Sequence, residues 1–542
     1  MKLYARLCVS TCWRFAIAFL TRTFFQPDEF YQSLELAHRL VFGYGFKTWE
    51  WNLNEGGGIR SPLYPLLFTP AYWILKATGT DDGLQRILLP RAFQAVFAVL
   101  CDLATYRLAK RVFRSEQIAN ISFICSLFMF FHLHALCRTF SNSIETTFTV
   151  LGLGYWPWEI YGSAVWPALI FAAFACIIRP PGALLWVYLG ASTLPIFLRT
   201  GQLKTILVQS TIIFAIALVG CLAIDSWFYQ TLTFSPWLFW RQNVTNSISV
   251  FYGANPLHFY FSQALPFMTM TLAPFILHGG YKSSTQNEAS RKLTFASLFV
   301  VAFHSFLSHK EFRFIHPIVP WFACLAGYSI HNIRHRTSSW IYQLAIVLPL
   351  VPAIYFALFH GYGQIRILEH LRDESVQSVG FLMPCHSTPW QSHLHRLSLE
   401  ESQGAAYESG AGGKLWFLLC EPPVRGQGAT YRDQSDHFYA SPIQYVRTRF
   451  PDVVDRNFPP SPIIDVSNYL KTHNDRFPRD SDLGWRHEWP SHLVFFEALK
   501  RDYPEVTTYI MSKGYTEQVC LFNGLFHDDR RREGRICIYQ SN

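Results

Sequence analysis

Residues 204–224 read KTILVQSTIIFAIALVGCLAI. Apart from Lys204 the run carries no charge, and it is long enough to cross a hydrocarbon core as a helix, which takes roughly 20 residues. Working outward, comparable apolar runs occupy 7–24, 86–106, 117–137, 144–160, 163–178, 182–198, 259–278, 293–307, 314–330 and 340–359. Such repetition predicts a membrane α-helical, multi-span chain. Composition agrees: of 542 residues, 50% are hydrophobic and only 15% charged, against about a quarter charged in soluble domains. Aromatics reach 17%, which lipid-facing helices and interfacial belts accommodate. The first run holds Trp13 and Arg14 and is the weakest. No small-residue cleavage site follows it, so it reads as an uncleaved anchor instead of a signal peptide.

The formal charge of +9 does not predict nucleic-acid binding, because Lys and Arg fall in short clusters between apolar runs and form no continuous basic stripe. Those clusters set orientation instead. Lys2 and Arg6, then Arg107 to Arg114, then Lys282 to Lys292, then Arg334 and Arg336 all fall on one side of an eleven-span count. That side reads as cytosolic. The loops at about 22–85, 138–143, 225–258 and 308–313 then face the opposite compartment, joined by the tail. We expect a multi-span domain over 1–360, with its first lumenal loop at 22–85, and a lumenal C-terminal domain of mixed α/β character over 361–542.

The tail is richer in charge and in Pro punctuation (Pro422–Pro423, Pro459–Pro460), with short apolar stretches such as Leu415–Leu419 and Leu493–Phe496 suited to strands. Four cysteines, Cys385, Cys420, Cys520 and Cys537, lie there. In an oxidising lumen they allow two disulfides in any of three pairings; as buried free thiols they would be packing residues. The other eight lie in or beside apolar runs and read as packing residues. No Cys or His spacing makes a zinc site, and no metal is expected. Of two N-x-[ST] sequons, Asn243 falls in a predicted lumenal loop and is open to glycosylation, whereas Asn120 falls at a cytosolic edge.

Chemistry-bearing residues concentrate in the predicted lumenal loops. Asp28 and Glu29 follow Pro27 directly after the first span. Acidic residues suit the positive end of a helix opened by Pro, so one reading is a capped interfacial helix; the other makes Asp28 a general base for a sugar hydroxyl. Glu35 and His38 share a face of the same helix. FGYGFKTWEW (42–51) alternates glycine with aromatics, and Trp49 and Trp51, with Arg60 beyond, suit either a sugar-stacking surface or a membrane-interface belt. The densest cluster is HKEFRFIHP (309–317). There Lys310 and Arg313, three apart, are expected to share a helical face and clamp a phosphate, with Glu311 holding the arginine and His309 assisting; the plainer reading is a snorkelling charge cluster. Arg138, Asn142 and Glu145 in RTFSNSIE (138–145) close the same pocket or serve a helix end, and Arg179 before Pro180–Pro181 sits at a helix break.

Taken together, Pro27-Asp28-Glu29, RTFSNSIE, the Asp225 loop with Tyr252-Gly253, and HKEFRF resemble the landmarks of the Alg9-like, dolichol-phosphate-mannose-dependent mannosyltransferases of glycosyltransferase family 22. FGYGFKTWEW with Arg60-Ser61 resembles the GPI-anchor branch more than the N-glycan branch. In the tail, Leu382–Trp390, Cys420–Pro423 and Trp489–His492 narrow the likeness further within that branch. Asn54–Ile59 carries more glycines than the pattern leads us to expect. The resemblance implies a GT-C fold in the endoplasmic reticulum membrane with a lumenal active site. It implies transfer of an α1,2-linked third mannose from dolichol-phosphate-mannose to a GPI precursor glycolipid, with inversion and without a cofactor or metal. Carried over residue by residue, the base is Asp28, with Glu29 the fallback, and the phosphate-binding groups are Lys310, Arg313 and His309. The rivals are a sibling mannosyltransferase, a catalytically silent subunit, and a transporter, which would call for internal repeats not read here.

Overall fold

The computed structural model describes residues 1–158, 164–336, 338–373, 375–399, 414–424, 431–454 and 487–541. The ends of two expected runs, at 159–160 and 163, and Pro459–Pro460 lie outside these. All eleven apolar runs contain helix, although several stop short of the expected bounds, as at 21–24, 156–158, 164–165 and 307. Among the described residues, five helices are long and apolar enough to cross a membrane: Leu3–Leu20, Gln85–Phe113, Pro180–Arg199, Leu203–Tyr229 and Ser339–His370. The remaining runs are shorter or interrupted. Glu116–Phe128 stops before Met129 and resumes at Phe130–Ala135, and the run at 259–278 breaks where Met270 takes a positive φ of 43°. Leu203–Tyr229 exposes Leu207, Phe214, Ile216 and Val219, as a lipid-facing helix does.

The chain folds as two compact units. The first comprises Met1–Thr21, Gly58–Leu67 and Leu88–Tyr355; the second comprises Arg22–Gly57, Phe68–Ile87 and Phe356–Asn542. In the helical unit the charge that weakened the first run is neutralised. Arg14 donates from Nε and Nη2 to the two oxygens of Asp102 at 2.8 and 2.7 Å, and both side chains are fully buried. Ser10 and Ser126 donate to the same carboxylate at 2.7 and 2.8 Å. An intramembrane cation is tolerable when paired and hydrogen-bonded in this way. The helices approach closely through small residues. A Cβ on Gly327, in helix Val319–Ile333, would lie 2.6 Å from the Ser122 amide nitrogen of helix Glu116–Phe128.

The second unit is built on a five-stranded sheet in the order β2-β1-β3-β5-β4. The strands are β1 (Val379–Phe381), β2 (Leu415–Phe417), β3 (His492–Phe496), β4 (Tyr515–Leu521) and β5 (Ile536–Ser541). β1 runs parallel to β2 and β3, while β5 runs antiparallel to β3 and β4. The parallel strands are buried on both faces, as parallel pairing favours, whereas edge strand β4 is largely exposed. Of the three disulfide pairings open to the sequence, the structure has Cys385–Cys420, joining the ends of β1 and β2, and Cys520–Cys537, crossing between β4 and β5. The remaining eight cysteines are free.

The loop segments 22–57 and 68–87 pack within this second unit. Glu35, in helix Glu35–Phe42, accepts from the Trp390 amide at 2.8 Å, the Ser392 amide at 3.0 Å and the Ser392 hydroxyl at 2.5 Å. Burial pushes its carboxyl up to about 7, against the pull of those donors. Arg86 donates to the Ser392 and His393 carbonyls at 3.1 and 2.7 Å. His38 meets His395 at 2.8 Å through Nε2, and His395 meets Asp81 at 3.1 Å.

Candidate functional site

In the helical unit, helix Glu288–Phe306 ends before Leu307 and the chain passes through bends at 307–309 and non-helical backbone at Lys310 and Glu311 before the 3-10 turn Phe312–Ile318. Lys310 therefore precedes the helical turn that carries Arg313, and the single helical face expected for the pair is not formed. Residues 308–310 are held by the loop at 253–255. Asn255 takes the Lys310 carbonyl through Nδ2 at 2.9 Å, its amide donates to the Ser308 carbonyl at 3.0 Å, and its carbonyl accepts from the Lys310 ammonium at 2.6 Å. His309 Nδ1 lies 2.8 Å from the Gly253 carbonyl. Gly253 has φ 116°, a conformation that favours glycine. Asn255 gave no signal in the sequence, since nothing local marks a residue that pairs with a segment 55 positions on.

Glu311 holds Arg313 through both its oxygens, at 2.7 and 2.8 Å, and His309 at 3.1 Å. Burial works against the Glu311 charge, but the Arg313 guanidinium and His309 more than offset it and hold the carboxyl well below the usual range. Burial likewise lowers His309, yet the Glu311 carboxylate carries it above the ordinary imidazole value. The Arg313 guanidinium lies 5.9 and 5.8 Å from the Phe140 and Phe314 ring centroids. Arg179 lies 5.7 Å from the same Phe314 ring, 3.4 Å from Glu145 and 3.0 Å from the Ser141 hydroxyl. Asn142 reaches Glu145 at 3.4 Å, and the buried Arg138 donates to the His134 carbonyl at 3.1 Å. RTFSNSIE, Arg179 and HKEFRF thus converge around two phenylalanines. The named cations Arg138, Arg179, Lys310 and Arg313 outnumber the carboxylates Glu145 and Glu311, an arrangement suited to an anion.

Arg60, in the same unit, gives its carbonyl to the Tyr229 hydroxyl at 2.8 Å and lies 5.9 Å from the Phe239 ring. Asp225 accepts from the amide and hydroxyl of Ser235 at 2.9 and 2.6 Å, capping helix Ser235–Trp240. Asn243 lies in the turn Arg241–Thr245, its amide nitrogen 3.1 Å from the Phe239 carbonyl.

In the second unit, Pro27 opens the helical turn expected of it: its carbonyl accepts from the Phe30 and Tyr31 amides at 2.9 and 3.0 Å. Asp28 is partly exposed on this turn, whereas Glu29 is buried. Trp49 and Trp51 form a buried 3-10 turn, and the Trp51 indole donates to the Tyr31 carbonyl at 3.1 Å. Two groupings of possible metal ligands occur among the described residues, Cys385/His386/Cys420 and Glu517/Cys520/Cys537. Both are built on disulfide-bonded cysteines, whose sulfurs are not thiolates.

The whole chain is similar to a crystallised ArnT from Cupriavidus metallidurans bound to undecaprenyl phosphate, with a TM-score of 0.54 over 99% of this chain and 97% of that one at 12% identity. The fold is that of a multi-span GT-C glycosyltransferase. The chain belongs to the Alg9-like mannosyltransferase family, which matches residues 6–395, and it is a mannosyltransferase. Among its relatives are a GPI mannosyltransferase 3 of Yarrowia lipolytica, 37% identical over 99% of this chain and 97% of the relative, and one of Candida albicans, 33% identical over 100% and 98%. A GPI alpha-1,2-mannosyltransferase 3 of Danio rerio is 31% identical over 94% and 85%.

Proposed function

We propose that this chain adds the third mannose, α1,2-linked, to the GPI-anchor precursor, taking it from dolichol-phosphate-mannose at the lumenal face of the endoplasmic reticulum membrane. The observation that carries the reading is the likeness to proteins named for that step in yeasts and a vertebrate. It extends over the tail as well as the helical unit. The lipid phosphate in the ArnT crystal structure supports a lipid-linked donor.

The donor mannose is β-linked to phosphate, so one in-line displacement yields the α product. Asp28 takes the proton from the acceptor hydroxyl as that oxygen bonds to the anomeric carbon. The bond from that carbon to the phosphate oxygen breaks, and the electron pair leaves with dolichyl phosphate. Asp28 is preferred to Glu29 as base because it is the more exposed of the two. Arg313 and Lys310, with His309, Arg138 and Arg179 beside them, neutralise the phosphate, the kind of preorganised charge that lowers such barriers most. Asn142 and Glu145 hold Arg179 in place, while Arg60, Trp49 and Trp51 shape the acceptor loop. The donor phosphate is a diester that departs as a phosphate monoester, whose added charge those cations take up, so the reaction as written uses no metal or cofactor.

The test is rescue of cells that lack the third-mannose activity. The parent chain should clear the accumulated two-mannose GPI intermediate and restore GPI-anchored proteins to the surface, and Asp28→Asn should not. Correction of a truncated N-glycan instead, with no effect on the GPI intermediate, would assign the chain to a sibling step.

A further inference from the structure

His316 lies near the end of HKEFRFIHP and has no part in the reaction as written above. It stands three residues beyond Arg313, one repeat of the 3-10 turn Phe312–Ile318 that carries both. Its ring is fully buried in the helical unit, edge-on to Phe131 with 4.8 Å between centroids. His132, in helix Phe130–Ala135, is also fully buried, and its ring centroid lies 5.7 Å from that of His316.

Hydrogen bonding fixes the tautomer of His132. The Ser126 hydroxyl gives its hydrogen to Asp102 at 2.8 Å, so toward His132 Nδ1, 3.0 Å away, that oxygen can only accept. The Ser126 carbonyl, 3.2 Å from the same nitrogen, is an acceptor as well. Nδ1 therefore carries the proton and Nε2 presents a lone pair. Nε2 is buried without a hydrogen-bond partner among the described residues, and so are both ring nitrogens of His316. A neutral imidazole has one N–H and one lone pair to satisfy, and leaving them dry costs the full desolvation of each. The two rings make no direct hydrogen bond. A water between them would donate to His132 Nε2 and accept from the His316 N–H, and two polar partners are the fewest a buried water needs.

We propose that a buried water joins His132 to His316 and that His316 is thereby a positioning residue for Arg313. The contacts run from the Arg14–Asp102 pair through Ser126 and His132 to the water, then to His316 and the turn that presents the guanidinium. Arg14 braces the same chain by donating to the His132 and Ser126 carbonyls at 3.1 and 3.0 Å. The ion pair of the first span thus helps to set the place of a donor-side cation. The inference rests on the reading of Arg313 as a group that binds the donor phosphate.

The experiment uses the full-length chain in detergent, with dolichol-phosphate-mannose and the two-mannose acceptor lipid. His316→Leu should raise the donor KM roughly 3- to 10-fold, the range that one hydrogen bond spans, and leave the acceptor KM within about twofold. His132→Leu should do the same, and the double variant should be no worse than either, because both act through one water. Thermal unfolding should show the same coupling. Each single change strands a buried partner, whereas the double replaces both with apolar groups, so its unfolding temperature should fall by less than the two single shifts added together. A parental donor KM in His316→Leu overturns the proposal. So do donor and acceptor KM values that rise equally, and effects of the two histidines that multiply; either marks plain packing. A transition metal found in stoichiometric amount in the purified protein and lost in His316→Leu overturns it as well, since the histidines then bind that ion. If His316→Leu does not fold, His316→Phe, which keeps a ring against Phe131 and removes both nitrogens, takes its place. A parental donor KM in Arg313→Ala would remove the donor-side reading itself, while the unfolding cycle of His132 and His316 still reports on the water.

Discussion

Asp102 accepts from Arg14, Ser10 and Ser126 while wholly buried, and this predicts an asymmetric response to mutation. Asp102→Ala leaves a buried guanidinium unpaired and should cost about 3–5 kcal/mol, whereas Arg14→Leu with Asp102→Leu should cost far less; thermal unfolding in detergent compares the two. In the sequence Arg14 lowers the standing of the first run, and Asp102 sits without comment in another. Asp102 is the one acid in its apolar run and Arg14 lies in the middle of another, and such residues are natural partners, so this pair was within reach of sequence reasoning. Glu35 was not, because its partners lie 355 and 357 residues away and nothing local announces them. Its carboxyl, at about 7 in the fold against an ordinary 4.5, binds a proton more tightly folded than unfolded. The associated stability is complete below about pH 4.5 and is lost as pH rises through about 7, to an extent of ~3 kcal/mol. Glu35→Gln, which cannot ionise, should flatten that dependence; an unchanged slope between pH 5 and 8 would show that Glu35 does not titrate there.

At the scale of elements, the helices were legible because an apolar run is a statement about solvent, but their interruptions were not. The break at Met129 and the positive φ of Met270 carry no Pro or Gly at the position itself that would announce them. The approach of Val319–Ile333 to Glu116–Phe128 depends on Gly327, where a Cβ would stand 2.6 Å from a backbone nitrogen. Gly327→Ala should force the pair apart and cost about 1–3 kcal/mol, seen as a lowered unfolding temperature. Within HKEFRF the pairing of Glu311 with Arg313 was legible and the local backbone was not. Glu311 takes the arginine as expected, but extended backbone separates Lys310 from the turn of Arg313. Lys310→Ala should release the 253–255 loop as well as a charge, and Arg313→Ala should remove the guanidinium that Glu311 holds in place. Both are expected to raise the KM for the lipid donor about tenfold or more, with the acceptor KM little changed. Equal effects on both substrates would argue against a donor-side role.

For the molecule as a whole, the sequence divided membrane from tail by composition, and the presence of a sheet in the tail followed from short apolar stretches such as Leu493–Phe496. That the first loop packs within the same unit as that sheet was hidden, because the contacts join segments far apart in the chain. The two disulfides belong to this unit and close spans of 35 and 17 residues. Loop-closure entropy predicts that removing Cys385–Cys420 costs about 4 kcal/mol and removing Cys520–Cys537 about 3 kcal/mol. Limited proteolysis of paired Cys→Ser variants should show the tail of the first cut sooner. The distance from Glu35 to Ser392 has a further meaning for how the protein is made. At roughly 5–20 residues per second, translation needs roughly 20–70 s to travel the 357 positions between them. Throughout that interval the emerging helix has its carboxylate but not the amides that satisfy it, so a stop codon anywhere before Trp390 should leave the beginning of the protein without partners that the end supplies.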